Sequence, residues 1–383
     1  MTAGEGLPQG MDPELLAGFR ARKRYALARA ISLVENRRPG FEALLHELYG
    51  DTGRARRVGI TGPPGAGKST LTMRLALACR ARNETVGVVA VDPSSPFTGG
   101  ALLGDRIRMG EVATDPGVFI RSMAARGALG GLALASREVA DVMDAYGFDL
   151  ILTETVGVGQ SELEIVQAAD TTVVVLVPES GDSIQAMKAG LMEIADVFVV
   201  NKADRPGADR LAQELEVMLH MRMGDAGGGG AGHHGAGHHG AGAAVGGPRA
   251  RAQERARAGE RGEWPIPVLK VTAQSGEGVE GLIETLDRHA VYLQESGELR
   301  RRREKRVVER VRGLVERELR RRVWERGEGW ELLQQALPAL CEGTDSPYEL
   351  AARIVGTVLP PDEVEIIHRE VREERREDSS SRP

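Results

Sequence analysis

The sequence has few cysteines, few aromatic residues and no excess of basic residues. Its two cysteines, Cys79 and Cys341, cannot build a disulfide framework and form no C-x-x-C pair, which favours a reducing compartment. Fifty Lys and Arg residues against 56 Asp and Glu residues give a net charge of -6, so no overall positive field exists to hold nucleic acid. No apolar stretch approaches the ~20 residues that span a bilayer, and the N-terminus shows no basic-then-apolar signal. We therefore expect a cytoplasmic protein that binds neither nucleic acid nor membranes.

Short apolar runs recur between segments of helical pattern from Arg57 to Asp204: "RVGIT", "TVGVVAVD", "DLILTE", "TTVVVLVP" and "DVFVVNK". They lack the apolar/polar alternation of a half-buried strand, which is typical of strands covered on both faces. A further strand and helix follow in "WPIPVLKVTAQSGEGVEGLIETLDRH". The pattern predicts an α/β fold with a mostly parallel sheet flanked by helices.

Composition and periodicity divide the chain into regions. Residues 11–55 are predicted to form N-terminal helices, residues 56–296 the α/β domain, residues 297–360 a helical arm and residues 361–383 a solvated charged tail. The arm has an apolar stripe from Val307 to Val323 at helical spacing. Residues 224–262 are rich in Gly, Ala, His and Arg and cannot build a core, so we expect a flexible insertion within the domain. Its segment "AGHHGAGHHGAG" suits weak binding of Ni²⁺, Cu²⁺ or Zn²⁺, but we interpret it as a linker.

The first chemical motif is "GPPGAGKST", which matches G-x-x-x-x-G-K-S/T between an apolar run and a helical segment. In this motif backbone N–H groups surround phosphate oxygens, Lys68 reaches the β- and γ-phosphates, and Ser69 ligates Mg²⁺. The alternative is a glycine-rich turn without chemistry. The predicted nucleotide-binding residues here are Gly62, Pro63, Pro64, Gly65, Ala66, Gly67, Lys68, Ser69 and Thr70.

The second motif is "NKAD" at the end of an apolar strand. The carboxylate of Asp204 can accept from both the ring N–H and the exocyclic amine of guanine, whereas adenine offers the wrong donors. Asn201 would tie this loop to the phosphate-binding loop, and the stem of Lys202 would cover the base. The later "VTAQSGEG" is predicted to supply the last guanine loop, with the N–H of Ala273 as donor to the base oxygen. Its predicted nucleotide-binding residues are Thr272, Ala273 and Gln274.

The third motif, "DLILTETVGVGQSE", is an apolar strand that ends in an acid. Glu154 would organise Mg²⁺ or its waters, and Gly157 would donate its N–H to the γ-phosphate. Ras-like GTPases have their water-orienting Gln four residues after this acid, where the present chain has Val158, and Gln160 comes two residues late. We therefore predict slow intrinsic hydrolysis that a partner completes.

These motifs resemble a known family. Together with "VDPSSPFTGGALLGDRIRM", "RSMAARGALGGL", "GDSIQAMKAGLMEIADVFVVNKAD" and "SPYELAARI", they are similar to SIMIBI-class P-loop GTPases of the MeaB/ArgK branch, the methylmalonyl-CoA mutase-associated GTPases. The resemblance implies a GTP-hydrolysing chaperone that assembles and protects an adenosylcobalamin-dependent acyl-CoA mutase and gates its cofactor loading. It also implies Mg²⁺, GTP and GDP without a tightly bound organic cofactor, a homodimer paired through the C-terminal helices, and an adenosyltransferase as a further partner.

The resemblance also extends the predicted site. Asp92 and Asp105 lie in "VDPSS" and "LLGD", near Mg²⁺ and the first switch, and join Ser69 and Glu154 as metal residues. Lys188 lies in a segment that in this family responds to the mutase and assists hydrolysis, so it joins Lys68, Asp92, Asp105 and Glu154 as a catalytic candidate. The alternatives are a turn cap for Asp92, a solvated loop acid for Asp105 and an ordinary surface lysine for Lys188.

Two other functions stay open. A nickel or other metal-delivery GTPase of the same superfamily would explain the histidines, but it should have a Cys/His site near the nucleotide switches, where neither cysteine is positioned. A kinase linked to periplasmic amino-acid transport needs a phosphorylation chemistry for which the guanine motif gives no reason. Which acyl-CoA the mutase would act on is not encoded in any of these motifs.

Overall fold

The computed structural model describes residues 12–93, 114–125, 129–155, 168–178, 191–225 and 263–357. The predicted site residues Asp105, Gly157 and Lys188 lie outside the described residues, as do the charged tail and all but the start of the predicted insertion. The chain divides into two compact units, Met1–Arg302 and Arg303–Pro383.

The first unit is built on a parallel sheet. Its strands are β1 (Arg56–Thr61), β2 (Val86–Pro93), β3 (Val118–Ala125), β4 (Leu150–Glu154), β5 (Thr171–Leu176), β6 (Val197–Asn201) and β7 (Val268–Val271), in the spatial order β3-β2-β4-β1-β5-β6-β7. All six neighbouring pairs are parallel. Every residue of β4, β5 and β6 is buried, because helices cover both faces of the sheet. The predicted α/β class and parallel sheet are confirmed.

One face of the sheet is covered by the N-terminal helices α1 (Pro13–Arg20), α2 (Arg24–Glu35) and α3 (Phe41–Leu48), with α5 (Leu129–Tyr146) between them and the strands. Asp12 caps the N-terminus of α1, since its carboxylate accepts hydrogen bonds from the N–H groups of Glu14 and Leu15. Leu27, Ile31 and Leu44 are fully buried, and they belong to the same hydrophobic cluster as Val89 of β2 and Ile151 of β4. The predicted N-terminal helices thus form part of the core.

The opposite face is covered by α4 (Lys68–Ala81) and α8 (Val279–Glu295). Their residues Leu71, Leu75 and Leu282 belong to one cluster with the β5 residues Val173 and Val175. The alternate residues of β5 pack with a short α6 (Met192–Ile194) and with α7 (Ala208–Asp225), as expected from the two-residue period of a strand.

The C-terminal helices are α9 (Glu298–Trp324), which begins in the first unit, α10 (Gly329–Glu342) and α11 (Pro347–Gly356). Val323, Leu350 and Ile354 form a small core with leucines of α10. Val311 and Val315 of the predicted apolar stripe are more than half exposed. Among the described helices, none combines the length and apolar character that a membrane span requires.

Candidate nucleotide-binding site

The predicted motifs meet because the carboxyl ends of parallel strands lie at one edge of a sheet. The register pairs Ile60 of β1 with Glu154 of β4, so the phosphate-binding loop starts beside the strand-end acid. The same acid is level with Ala90 of β2, which places the backbone of Asp92 two residues farther along the neighbouring strand. Strand β6 ends at Asn201 on the other side of β1 and β5.

The phosphate-binding loop needs its glycines. Gly62 and Gly67 have φ values of +142° and +83°, which residues other than glycine rarely adopt. A Cβ at Gly62 would collide with the carbonyl oxygen of Val175, and one at Gly67 with the side-chain amide of Asn201. Gly67 precedes α4 without a side-chain cap, so the start of this helix presents backbone N–H groups and a positive dipole end to an anion.

Lys68 is held inside this loop. Its side chain is buried, and its ammonium group donates to the carbonyl oxygens of Gly62 at 2.9 Å and Pro63 at 3.0 Å. These two carbonyls hold the ammonium group inside the loop, where a positive charge attracts phosphate oxygens.

Ser69 and Glu154 bring two side-chain oxygens together. The Ser69 hydroxyl donates to Oε1 of the buried Glu154 at 2.5 Å. Behind them the hydroxyls of Thr61 and Thr155 are hydrogen-bonded at 3.0 Å, which ties the ends of β1 and β4 together. Magnesium in phosphate sites is usually held by one or two carboxylate or hydroxyl oxygens plus phosphates and waters, and this pair fits that requirement.

Asn201 joins the loops at the base end. It is buried, its Nδ2 donates to the carbonyl oxygen of Ala66 at 2.7 Å, and its Oδ1 accepts from the N–H of Ala273 at 3.0 Å. Lys202 has a φ of +56°, and the loop that follows turns outward so that the carboxylate of Asp204 is exposed. The structure thus places the predicted Asn201 beside the phosphate-binding loop and leaves Asp204 accessible to a base.

The structure differs from the sequence prediction at Ala273. We expected its N–H to be the donor to the guanine oxygen, but this N–H donates to Asn201 instead. The reason is that the buried amide oxygen of Asn201 needs a donor, and the start of the loop after β7 supplies it. Thr272 and Gln274 flank this contact, and Thr272 closes the loop by accepting from the N–H of Ser275 at 3.1 Å.

One contact of the site has no sequence signal. Arg74 of α4 donates from Nε to the carbonyl oxygen of Ala273 at 3.2 Å and from Nη2 to that of Gln274 at 2.7 Å. An arginine in the second turn of a helix is ordinarily a surface residue, and its partners lie about 200 residues later in the sequence, so no local motif could identify it.

A buried polar cluster lies at the opposite edge of the sheet. Asp196, just before β6, receives both terminal nitrogens of Arg302 at 2.9 Å, and its backbone oxygen accepts from the indole N–H of Trp264 at 2.8 Å. The fully buried His289 contacts the Thr171 hydroxyl at 2.8 Å. Burial lowers the pKa of His289 to about 4, although Asp196 acts in the other direction. This cluster is structural, since it is separated from the motifs by the length of the strands.

Comparisons with known proteins give a family match and several relatives. Residues 27–328 match the family model described as methylmalonyl Co-A mutase-associated GTPase MeaB. A Pyrococcus horikoshii protein that is named as a GTPase is 45% identical over 302 residues, which cover 79% of this chain and 85% of that protein. The mouse protein named methylmalonic aciduria type A homolog, mitochondrial, is 32% identical over 307 residues, which cover 76% of this chain and 66% of that protein.

A solved structure shares the fold. The crystal structure of an LAO/AO transport system kinase superposes with a TM-score of 0.61 over 92% of this chain and 99% of that chain. The sequence identity is 24%, so the likeness concerns the fold. A protein of known structure therefore has the same fold as this chain.

Proposed function

Because the chain belongs to the family of methylmalonyl-CoA mutase-associated GTPases and is a GTPase, we propose that its GTP hydrolysis serves an adenosylcobalamin-dependent acyl-CoA mutase. The supporting observation is the family match over residues 27–328, which includes every described residue of the nucleotide site. The name of the mouse relative, which refers to methylmalonic aciduria, points to the same metabolism. In this proposal the protein is a cytoplasmic chaperone that assembles and protects the mutase and gates the loading of its cofactor, with the mutase's adenosyltransferase as a further partner.

The proposed GTP site has two ends, one for the phosphates and one for the base. At the phosphate end the backbone N–H groups of Gly65 and of residues 67–70, together with the ammonium group of Lys68, would bind the phosphate oxygens. Ser69 and Glu154 would hold Mg²⁺, with Asp92 and Asp105 as further ligands, and the metal supplies neutralisation of phosphate charge. At the base end Asn201 positions the loops, Lys202 covers the ring, and Asp204 accepts from guanine.

We assign the stimulation of GTP hydrolysis to the partner. Val158 stands where a water-orienting glutamine is found in Ras-like proteins, so the protein alone should position the attacking water poorly. In the proposed cycle Gly157 binds the γ-phosphate through its N–H, and Lys188 assists hydrolysis when the mutase docks. The proposed assembly is a pair of subunits joined through the apolar stripe of α9, Val307 to Val323, of which the residues from Val307 to Leu319 are exposed and Val323 is buried in the small core described above.

The guanine site is tested with an Asp204→Asn variant. Asp204 would accept two hydrogen bonds as a charged group, so the variant should bind GTP about 100-fold more weakly and should gain affinity for xanthosine triphosphate, whose ring carries an acceptor at that position. Asp209→Asn is the control, since Asp209 is also exposed but contacts Lys270 on the protein surface. Equal affinity of the wild type for ATP and GTP would refute the base assignment.

The chaperone role is tested by adding a cobalamin-dependent mutase to the purified protein. GTP turnover should rise by about tenfold or more, because the partner supplies transition-state positioning that the site lacks. Deletion of residues 226–247 is the control and should leave both the basal and the stimulated rate unchanged. A rate that responds to Ni²⁺ and not to the mutase would replace this proposal with metal delivery.

A further inference from the structure

We propose that Arg74 is a positioning residue for guanine recognition, an inference that rests on the proposed guanine site but not on the identity of the partner. Helix α4 begins at the phosphate end of the site, and Arg74 lies six residues after Lys68, about 9 Å farther along the helix axis. From there its guanidinium reaches the loop after β7 and donates to two successive carbonyl oxygens, those of Ala273 and Gln274.

The environment of Arg74 distinguishes it from its neighbours. Arg80 pairs with Asp115, and Arg82 pairs with Glu280 and Asp287, so the arginines at the end of α4 form ion pairs. Arg74 is half-buried, and within the described part of the chain it forms no ion pair. Its Nε and Nη2 groups instead donate to the two backbone carbonyl oxygens, and because the guanidinium is planar it fixes the direction of both carbonyls.

Fixing a carbonyl also fixes the N–H across the same peptide bond. The peptide unit is planar and trans, so the carbonyl of Ala273 and the N–H of Gln274 point in opposite directions. Because Arg74 holds this carbonyl toward α4, the N–H of Gln274 is directed to the other side of the loop. The N–H of Ala273 is bonded to Asn201, which leaves the N–H of Gln274 as the donor for the guanine oxygen.

The test is a set of nucleotides that differ in the groups of the base. Inosine triphosphate keeps the guanine oxygen and the ring N–H and lacks the exocyclic amine. 2-Aminopurine riboside triphosphate keeps the amine and lacks both the oxygen and the ring N–H, so it binds more weakly from the start but does not use the N–H of Gln274. Arg74→Met retains most of the side-chain stem and removes the guanidinium. It should weaken GTP and inosine triphosphate by the same factor, about tenfold for one hydrogen bond, and change the 2-aminopurine nucleotide by less than about twofold.

A kinetic readout separates positioning from catalysis. In Arg74→Met the KM for GTP should rise by the same factor of about ten while kcat at saturating GTP stays unchanged, because the loop contacts the base and not the reacting phosphate. Arg74→Lys keeps the charge with a single flexible donor group, so it should restore part of the affinity with the same dependence on the base oxygen. It also serves as the test if the methionine variant fails to fold.

Arg82→Met is the matched control. Arg82 lies at the C-terminal end of the same helix, and its side chain donates to the carboxylates of Glu280 and Asp287 rather than to the loop after β7. It should leave all three affinities unchanged. An equal loss for the three nucleotides in the Arg74 variants, or no loss, would overturn the inference. Failure of the guanine site itself has a different signature, because the wild type would then bind GTP and the 2-aminopurine nucleotide equally well.

Discussion

The buried His289 should make the GTPase unit lose stability on mild acidification. In the folded protein burial lowers the pKa of this imidazole to about 4, whereas an unfolded histidine titrates near 6.5. Between these values the unfolded chain binds a proton that the folded chain does not, so the free energy of unfolding decreases as the pH falls. The effect should be about 2 kcal/mol at pH 5 and about 3 kcal/mol below pH 4.

The measurement is urea unfolding between pH 7.5 and pH 5. Trp264 is a local probe, since its ring centre lies 4.6 Å from that of His289. Replacing Trp324 and Trp330 with phenylalanine in every protein compared leaves the fluorescence to Trp264 alone. His289→Gln removes the titrating ring and can still bond to the Thr171 hydroxyl, so it isolates the contribution of the imidazole.

The other charged groups around His289 are the same in both proteins. They are Asp170, Asp196, Glu298 and Arg302. Their titration therefore contributes equally to the wild type and to His289→Gln, and the difference between the two pH profiles belongs to the imidazole. The wild type should lose about 2 kcal/mol more than the variant between pH 7.5 and pH 5. Parallel profiles would refute the reasoning, because they would mean that the imidazole of His289 has the same pKa in the folded and in the unfolded protein.

Three further substitutions test the site and its support. Gly67→Ala should abolish detectable GTP binding by calorimetry with an unchanged circular dichroism spectrum, since its Cβ meets Asn201 and φ +83° costs a further ~1–2 kcal/mol; wild-type affinity would contradict this. Ser69→Ala should lose most of the affinity gain that Mg²⁺ gives over EDTA; an unchanged gain would exclude Ser69 as a ligand. Asp144→Ala should lower the free energy of urea unfolding by about 3–5 kcal/mol, because this buried carboxylate accepts from three backbone N–H groups and an arginine. The half-exposed Asp51, which pairs with the exposed Arg54, is the control, and Asp51→Ala should change the free energy of unfolding by less than ~1 kcal/mol. Similar losses for both aspartates would contradict the buried-cap interpretation.

Much of the fold could be predicted because its determinants are local. The run "TTVVVLVP" has no alternation of apolar and charged residues, and every residue of β5 is buried. A strand of that kind is covered on both faces, which favours a parallel sheet with helices on each side. The phosphate-binding loop could be predicted for the same reason, since the spacing of Gly62 and Gly67 encodes backbone conformations that few other residues adopt.

The missed features depend on pairs that are distant in sequence. Arg74 contacts carbonyl oxygens about 200 residues away, and Asp144 caps the N–H groups that precede β1 from 91 to 89 residues away. Neither residue type is unusual in a helix, so the sequence alone shows an ordinary surface charge. The role expected for Ala273 failed for a related reason, because only the folded structure shows that Asn201 takes its N–H.

Strand β6 connects two regions that have so far been described separately. Asp196, the residue before the strand, accepts hydrogen bonds from Arg302 near the start of α9. Asn201, the last residue of the strand, joins the loops at the base end of the nucleotide site. The strand between them is extended, about 17 Å long and hydrogen-bonded to β5 and β7 on its two sides, so it can neither stretch nor buckle appreciably. The same short, rigid element therefore fixes both the loop that surrounds the base and the residue that holds the start of α9, so the two are built on one strand.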